Sequence, residues 1–129
     1  MSMKRGILAM GESGNIIMPE IVTDIWMSES ELMELFGVVV PTLRAAVRAV
    51  YKSGILKEYE VQRYVRLENG YYADVLGFPM IAALAFRINS FGAEQVRNAI
   101  LERLYLRKEK TSIFFSLSIN NMKSPKYQV

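Results

Sequence analysis

Arg44, Arg48 and Lys52 are the residues whose types and spacing most suggest a chemistry. They fall at i, i+4 and i+8, so a helix over this stretch lines them along one face. Arg63 and Arg66 follow in a segment that alternates like a strand. Rows of cations neutralise phosphates, and the planar fork of arginine matches the acceptor pair on a guanine edge. The chemistry on offer is binding to nucleic acid. The catalytic inventory is nearly empty: no histidine, no cysteine, no glycine-rich phosphate loop, no serine–histidine–aspartate set and no cluster with metal-ligand spacing. We therefore expect no reaction, no metal and no cofactor. Asp74 reads as an ion-pair partner of Arg87 before it reads as an acid or base. Arg103, Arg107 and Lys108 read as complements to the negative end of a helix. Arg87 and Asn89 read as residues that satisfy backbone groups at a turn.

The cations need a scaffold, and residues 28–53 supply one. Ser28 with Glu31 forms a capping box, and Met27 with Leu32 a hydrophobic staple around it. Leu32, Leu35 and Phe36 give this first helix an apolar face. Gly37 stands where the chain leaves the helix with positive φ, and Pro41 suits the first turn of a second helix. There Leu43, Val47 and Val50 form a face distinct from that of Arg44, Arg48 and Lys52. Ser53-Gly54 ends it. The pattern is a helix-turn-helix with a basic stripe on its second helix.

Upstream, residues 7–10 and 16–18 read as a hairpin around Gly11-Glu12-Ser13-Gly14. Downstream, residues 59–67 read as a strand, Asn69-Gly70 as a two-residue turn and residues 71–75 as the return strand. A strand pair directly after a helix-turn-helix is the layout of a winged helix. Arg63 and Arg66 then either lie on a wing beside phosphates or form the solvated face of a half-buried hairpin. The seven tyrosines could stack on bases as in single-strand binders. Several of them sit on or beside strands, where aromatics are favoured anyway. Pro79 opens an apolar helix central to the core. Residues 87–92 break it, and residues 93–108 form another helix with Val96, Ile100, Leu101 and Leu104 inward. Residues 113–119 read as a strand that adds to the opening hairpin or to another subunit. The expected fold is α+β: a winged-helix-like helix-turn-helix with β-hairpins, plus two C-terminal helices. It spans residues 1–110 as a single domain, with residues 111–129 as a tail.

Charge supports the same direction. The net charge of +3 divides into −4 over residues 1–40 and +7 over residues 41–129, and a basic second part could meet phosphates. Half the residues are apolar, enough for a core without metal or disulfide support. The longest apolar run, residues 75–86, is too short to span a bilayer, and no secretory signal opens the chain. The expected location is the cytoplasm, with no membrane partner.

These pieces resemble the RhuM-type proteins, called virulence or DNA-binding proteins and often carried on mobile genetic elements of bacteria. The matching stretches are Ile25-Trp26-Met27-Ser28, Glu34-Leu35-Phe36-Gly37-Val38, Thr42-Leu43, Gly54-Ile55-Leu56 and Phe86-Arg87-Ile88-Asn89-Ser90, with Gln95-Val96-Arg97 weaker. The resemblance covers roughly residues 7–108, and Phe86-Arg87-Ile88-Asn89-Ser90 is its most specific part. It implies a helix-turn-helix DNA-binding role, with this chain similar to the amino-terminal module of longer proteins. The family pattern has polar residues where the second helix starts; here Val40-Pro41-Thr42 stand there.

Two functions follow as expectations. In the first, the chain is a non-catalytic, transcription-regulator-like module that binds double-stranded DNA as a dimer. Thr42, Arg44 and Arg48 then approach base edges, and Lys52, Arg63 and Arg66 hold phosphates. In the second, the chain is a protein-interaction or oligomerisation module that keeps the fold without reading DNA. The Val38-Val39-Val40-Pro41 turn would be its apolar patch, and residues 113–119 would add to a partner sheet.

Overall fold

The computed structural model describes residues 4–119, with side chains as far as Tyr105. The chain divides into two units, Met1–Ala99 and Ile100–Val129. The first begins with a short antiparallel hairpin of β1 (Ala9–Met10) and β2 (Ile16–Ile17). Then come β3 (Trp26–Ser28), α1 (Glu29–Phe36), α2 (Val40–Ser53), α3 (Glu58–Val61), β4 (Gln62–Arg66), β5 (Tyr72–Gly77) and α4 (Phe78–Ala85). α5 (Phe91–Ile119) starts in this unit and runs into the second. β3, β5 and β4 form an antiparallel sheet with β5 in the middle. The α+β class is as the sequence predicts.

α1 leaves directly from the end of β3. The Ser28 hydroxyl accepts from the Glu31 amide at 3.4 Å, and the Glu31 carboxylate accepts from the Ser28 amide at 2.8 Å. This capping box is the predicted one. Gly37, in the left-handed region, closes α1, and residues 37–39 turn the chain into α2. α2 turns Leu43, Ala46 and Val50 inward, with Val47 half-buried, and packs against α1 and α4. α4 is the central helix the apolar run predicts: Met80, Ile81, Leu84 and Ala85 are buried. Ile25, Met27, Leu32, Phe36 and Val75 complete the core around it. Each of these side chains larger than alanine contributes roughly 1.5–3 kcal/mol by leaving water.

The helix ends after α4 are tied together by two side chains. The Ser90 hydroxyl accepts from the Ala93 amide at 3.1 Å, capping α5, and donates to the Phe36 carbonyl at 2.7 Å, the last residue of α1. Arg97 Nη1 donates to the carbonyls of Ala85 and Ile88 at 2.7 and 3.0 Å, closing α4. Ser90 and Arg97 therefore do the work expected of Arg87 and Asn89, which are exposed.

Four further expectations are corrected. Residues 58–61 are the short helix α3, so β4 begins only at Gln62. The Glu60 carboxylate reaches back to the Lys57 amide at 3.3 Å, a local bond that starts a helical turn where aromatics suggested a strand. The β4–β5 loop holds three residues: Leu67 N–H donates to the Tyr71 carbonyl at 2.7 Å, and Gly70 N–H to the Leu67 carbonyl at 2.9 Å. Gly70 at φ 91° fills the left-handed last position of such a loop. Finally, residues 113–119 belong to α5 rather than to a strand. No proline or glycine interrupts residues 93–119, so helix propagation, one bond per residue, prevails over β-propensity. Within α5, Leu101 and Leu104, expected inward, are exposed. Residues 120–129 of the expected tail lie outside the described residues. Among the described residues no helix is long and apolar enough to cross a membrane.

Candidate nucleic-acid interface

α2 and the β4–β5 hairpin carry all six residues singled out by the sequence. Thr42, Arg44, Arg48 and Lys52 are exposed on α2. Val39 precedes the helix without a side-chain cap, and Pro41 occupies its first turn. Thr42 is therefore the sole hydrogen-bonding side chain in that turn. Arg44 is engaged within the molecule: its Nε donates to Glu29 Oε2 at 2.7 Å and its Nη2 to Glu29 Oε1 at 3.0 Å. The hydrogen bond from Arg44 holds the Glu29 carboxyl below the usual carboxylate range, and Glu29 in turn raises Arg44. Both side chains are substantially exposed, so solvent and salt screen the pair. Among the described residues neither Arg48 nor Lys52 makes an ion pair.

α2 sits over one face of the sheet. The Tyr51 hydroxyl donates to Gln62 Oε1 at 2.8 Å, joining α2 to β4. Burial raises the Tyr51 hydroxyl first, and the nearby carboxylates of Glu58 and Asp74 add to it. A shallow cleft of about 250 Å³ opens beside this bond, with Arg44 and Arg48 on the helix side and Gln62 and Asp74 on the strand side. Asp74 is exposed there, in register opposite Tyr64, and makes no ion pair with Arg87 among the described residues.

Strand parity divides the two hairpin arginines. Gln62 pairs with Leu76, Tyr64 with Asp74 and Arg66 with Tyr72, so these six share the face that α2 covers in part. Tyr64 and Tyr72 stack on it with ring centroids 5.5 Å apart and planes inclined by 18°. The Nε of Arg66 donates to the Gly70 carbonyl at 3.3 Å. Arg63 lies on the opposite face, where its guanidinium carbon stands 4.3 Å above the Trp26 ring. Trp26 pairs with Gly77 across the sheet, and a Cβ at Gly77 would come within 3.2 Å of the indole. The seat for Arg63 thus depends on a glycine. Of the six residues, Thr42, Arg44, Arg48, Lys52 and Arg66 belong to α2 and its side of the hairpin, and Arg63 does not.

Sequence reasoning missed Arg5. Its side chain is 3% exposed. Nη1 donates to the Trp26 carbonyl at 2.6 Å and to Glu31 Oε1 at 2.8 Å, and Nη2 donates to Glu31 Oε2 at 2.9 Å and to Glu68 Oε1 at 2.8 Å. Glu31 is the capping-box residue, and Glu68 belongs to the hairpin loop. Burial pushes the Glu31 carboxyl up, but the Arg5 fork and the Ser28 amide together outweigh it and hold it below the carboxylate range. The bond from Arg5 likewise lowers Glu68, and Glu31 foremost raises Arg5. This clamp fixes the hairpin tip relative to α1. No signal local to Arg5 announces it, because its partners lie 26 and 63 residues away.

Comparison with known proteins finds no matching family model, no matching curated protein and no matching solved structure.

Proposed function

We propose that this protein is a non-catalytic DNA-binding module built as a winged helix-turn-helix, with α1 and α2 as the helix pair and β4–β5 as the wing. One observation carries the reading. The exposed cations of α2, Arg48 and Lys52, and the hairpin cation Arg66 belong to a helix and to the sheet face whose base it meets, joined by the Tyr51–Gln62 bond. A duplex presenting its major groove to α2 would meet Thr42 and Arg48 near base edges and Lys52 and Arg66 near phosphates. Arg44 joins them when a phosphate displaces Glu29. A single module covers little duplex, so two copies on adjacent half-sites are the expected assembly. The resemblance to the RhuM-type proteins of bacterial mobile elements agrees with a regulatory role.

Fluorescence anisotropy of a mixed-sequence duplex tests this. Three phosphate contacts weaken binding about fortyfold between 50 and 200 mM salt. Arg48→Glu with Lys52→Glu removes most of the affinity while the melting temperature stays within a few degrees. Unchanged duplex binding in that variant would refute the assignment. A second reading rests on Val39, which is 64% exposed between half-buried Val38 and Val40. An apolar turn of this kind suits a protein partner. It becomes the preferred surface if the wild-type chain ignores duplex at low salt.

A further inference from the structure

We propose that the open face of the β4–β5 hairpin binds single-stranded DNA by stacking bases on Tyr64 and Tyr72. The two rings lie at diagonal positions on neighbouring strands and stack on each other, yet they remain 70% and 59% exposed. The hairpin has other fastenings. Its register is fixed by five residue pairs between β4 and β5, its tip by the Arg5–Glu68 bond, its loop by the Asn69 side chain accepting from the Tyr71 amide at 2.9 Å. Its base is held by the Tyr51–Gln62 bond. Two large rings left in water add little to that.

They fit a base instead. A duplex offers base edges in its grooves and hides the flat faces in its own stack, whereas an unpaired strand offers the faces themselves. Every base has a π face, so a tyrosine platform takes single strands with little sequence preference. The stacked rings, both largely exposed, leave surface on which a base can extend the column. Charge selects where the phosphates run. Arg66 stands opposite Tyr72 on this face, and no carboxylate pairs with it among the described residues. Glu68, the acid of the loop, is drawn to Arg5. Asp74 faces the other end of the platform, opposite Tyr64, and repels a backbone there. The strand therefore passes on the tip side, with phosphates toward Arg66 and bases toward the rings. This surface shares Arg66 with the duplex reading but needs neither Arg48 nor Lys52, so the two can be told apart by changing those two residues.

The test is anisotropy of a labelled oligothymidylate of about 12 nucleotides with the full chain in low salt, and with a duplex titrated in parallel. Tyr64→Leu with Tyr72→Leu keeps apolar cover on the strands and removes the π faces. Tyr64→Phe with Tyr72→Phe keeps them. We expect the wild-type and phenylalanine chains to bind within about twofold of each other, and the leucine chain at least about fivefold more weakly. We also expect Arg48→Glu with Lys52→Glu to lose duplex while retaining the oligothymidylate. Wild-type chain that does not bind the oligothymidylate overturns the proposal, as does a folded leucine variant that binds like wild type. Thermal melts establish folding. Should the leucine chain not fold, Arg66→Gln takes its place: unchanged single-strand affinity there overturns the proposal too.

Discussion

On one face of the hairpin, Arg63 lies over the Trp26 ring, Val75 is fully buried and Gly77 makes room for the indole. On the other, Arg66, Tyr64 and Tyr72 stand exposed beyond the edge of α2. The two faces share one backbone and similar residue types, an arginine beside aromatics on each. What differs is the neighbour: β3 brings a tryptophan to the first, and nothing covers the outer half of the second among the described residues. An arginine's role in this protein therefore follows from strand parity and not from its type. Arg5 and Arg97 extend the same contrast, since both spend their donors on internal carbonyls and carboxylates.

The sharpest way to break the comparison is to truncate one aromatic on each face. Trp26→Ala should cost about 3–5 kcal/mol in urea unfolding, because it empties a buried site. Tyr64→Ala should cost below about 1 kcal/mol, the scale of one cross-strand pair. Equal losses would mean that both faces serve the fold.

Next comes the clamp behind the closed face. Glu31→Gln leaves the Arg5 guanidinium short of an anion and should cost about 1–3 kcal/mol. That is less than for a fully enclosed pair, since Glu31 retains 28% exposure. The same variant tests pH dependence. The folded carboxyl titrates below its unfolded value, so its contribution is present at neutral pH. It is lost as pH falls through the ordinary carboxylate range toward the folded value. Urea midpoints at neutral pH and at about pH 3 should therefore converge more in Glu31→Gln than in the wild type. A wild-type-like acid response would remove Glu31 from this account.

The smallest effects refine the contrast. Arg63→Gln should lower stability by about 0.5–1 kcal/mol through the lost cation–π contact and leave duplex affinity unchanged. Arg66→Gln should leave stability unchanged and reduce the slope of affinity against salt by about one. An Arg63 variant that weakens DNA binding instead would erase the division between the faces.

Much of the fold is legible in the sequence where the signal is local. The Ser28–Glu31 capping box, the glycine that ends each of the first two helices and the proline-opened apolar helix all lie within a turn or two of the residues they govern. Residues 58–61 and 113–119 depart from the strand pattern because β-branched and aromatic side chains set a preference that local bonding or helix propagation overrides. The Arg5 clamp was illegible for a different reason: no spacing rule connects residues 26 and 63 positions apart. The separation of Arg63 from Arg66 was available all along. An odd interval within a regular strand puts two side chains on opposite faces, and three is odd.

The Arg5 clamp also orders events in time. Local helix contacts form before distant ones, because closing a longer loop costs more entropy. Glu31 can capture Arg5 as soon as α1 is capped, whereas Glu68 can reach it only after both helices and β4 have been made and the chain turns back. As the chain emerges from a ribosome, Glu31 follows Arg5 after 26 residues and Glu68 only after 63, so the hairpin tip is the later of the two partners able to dock.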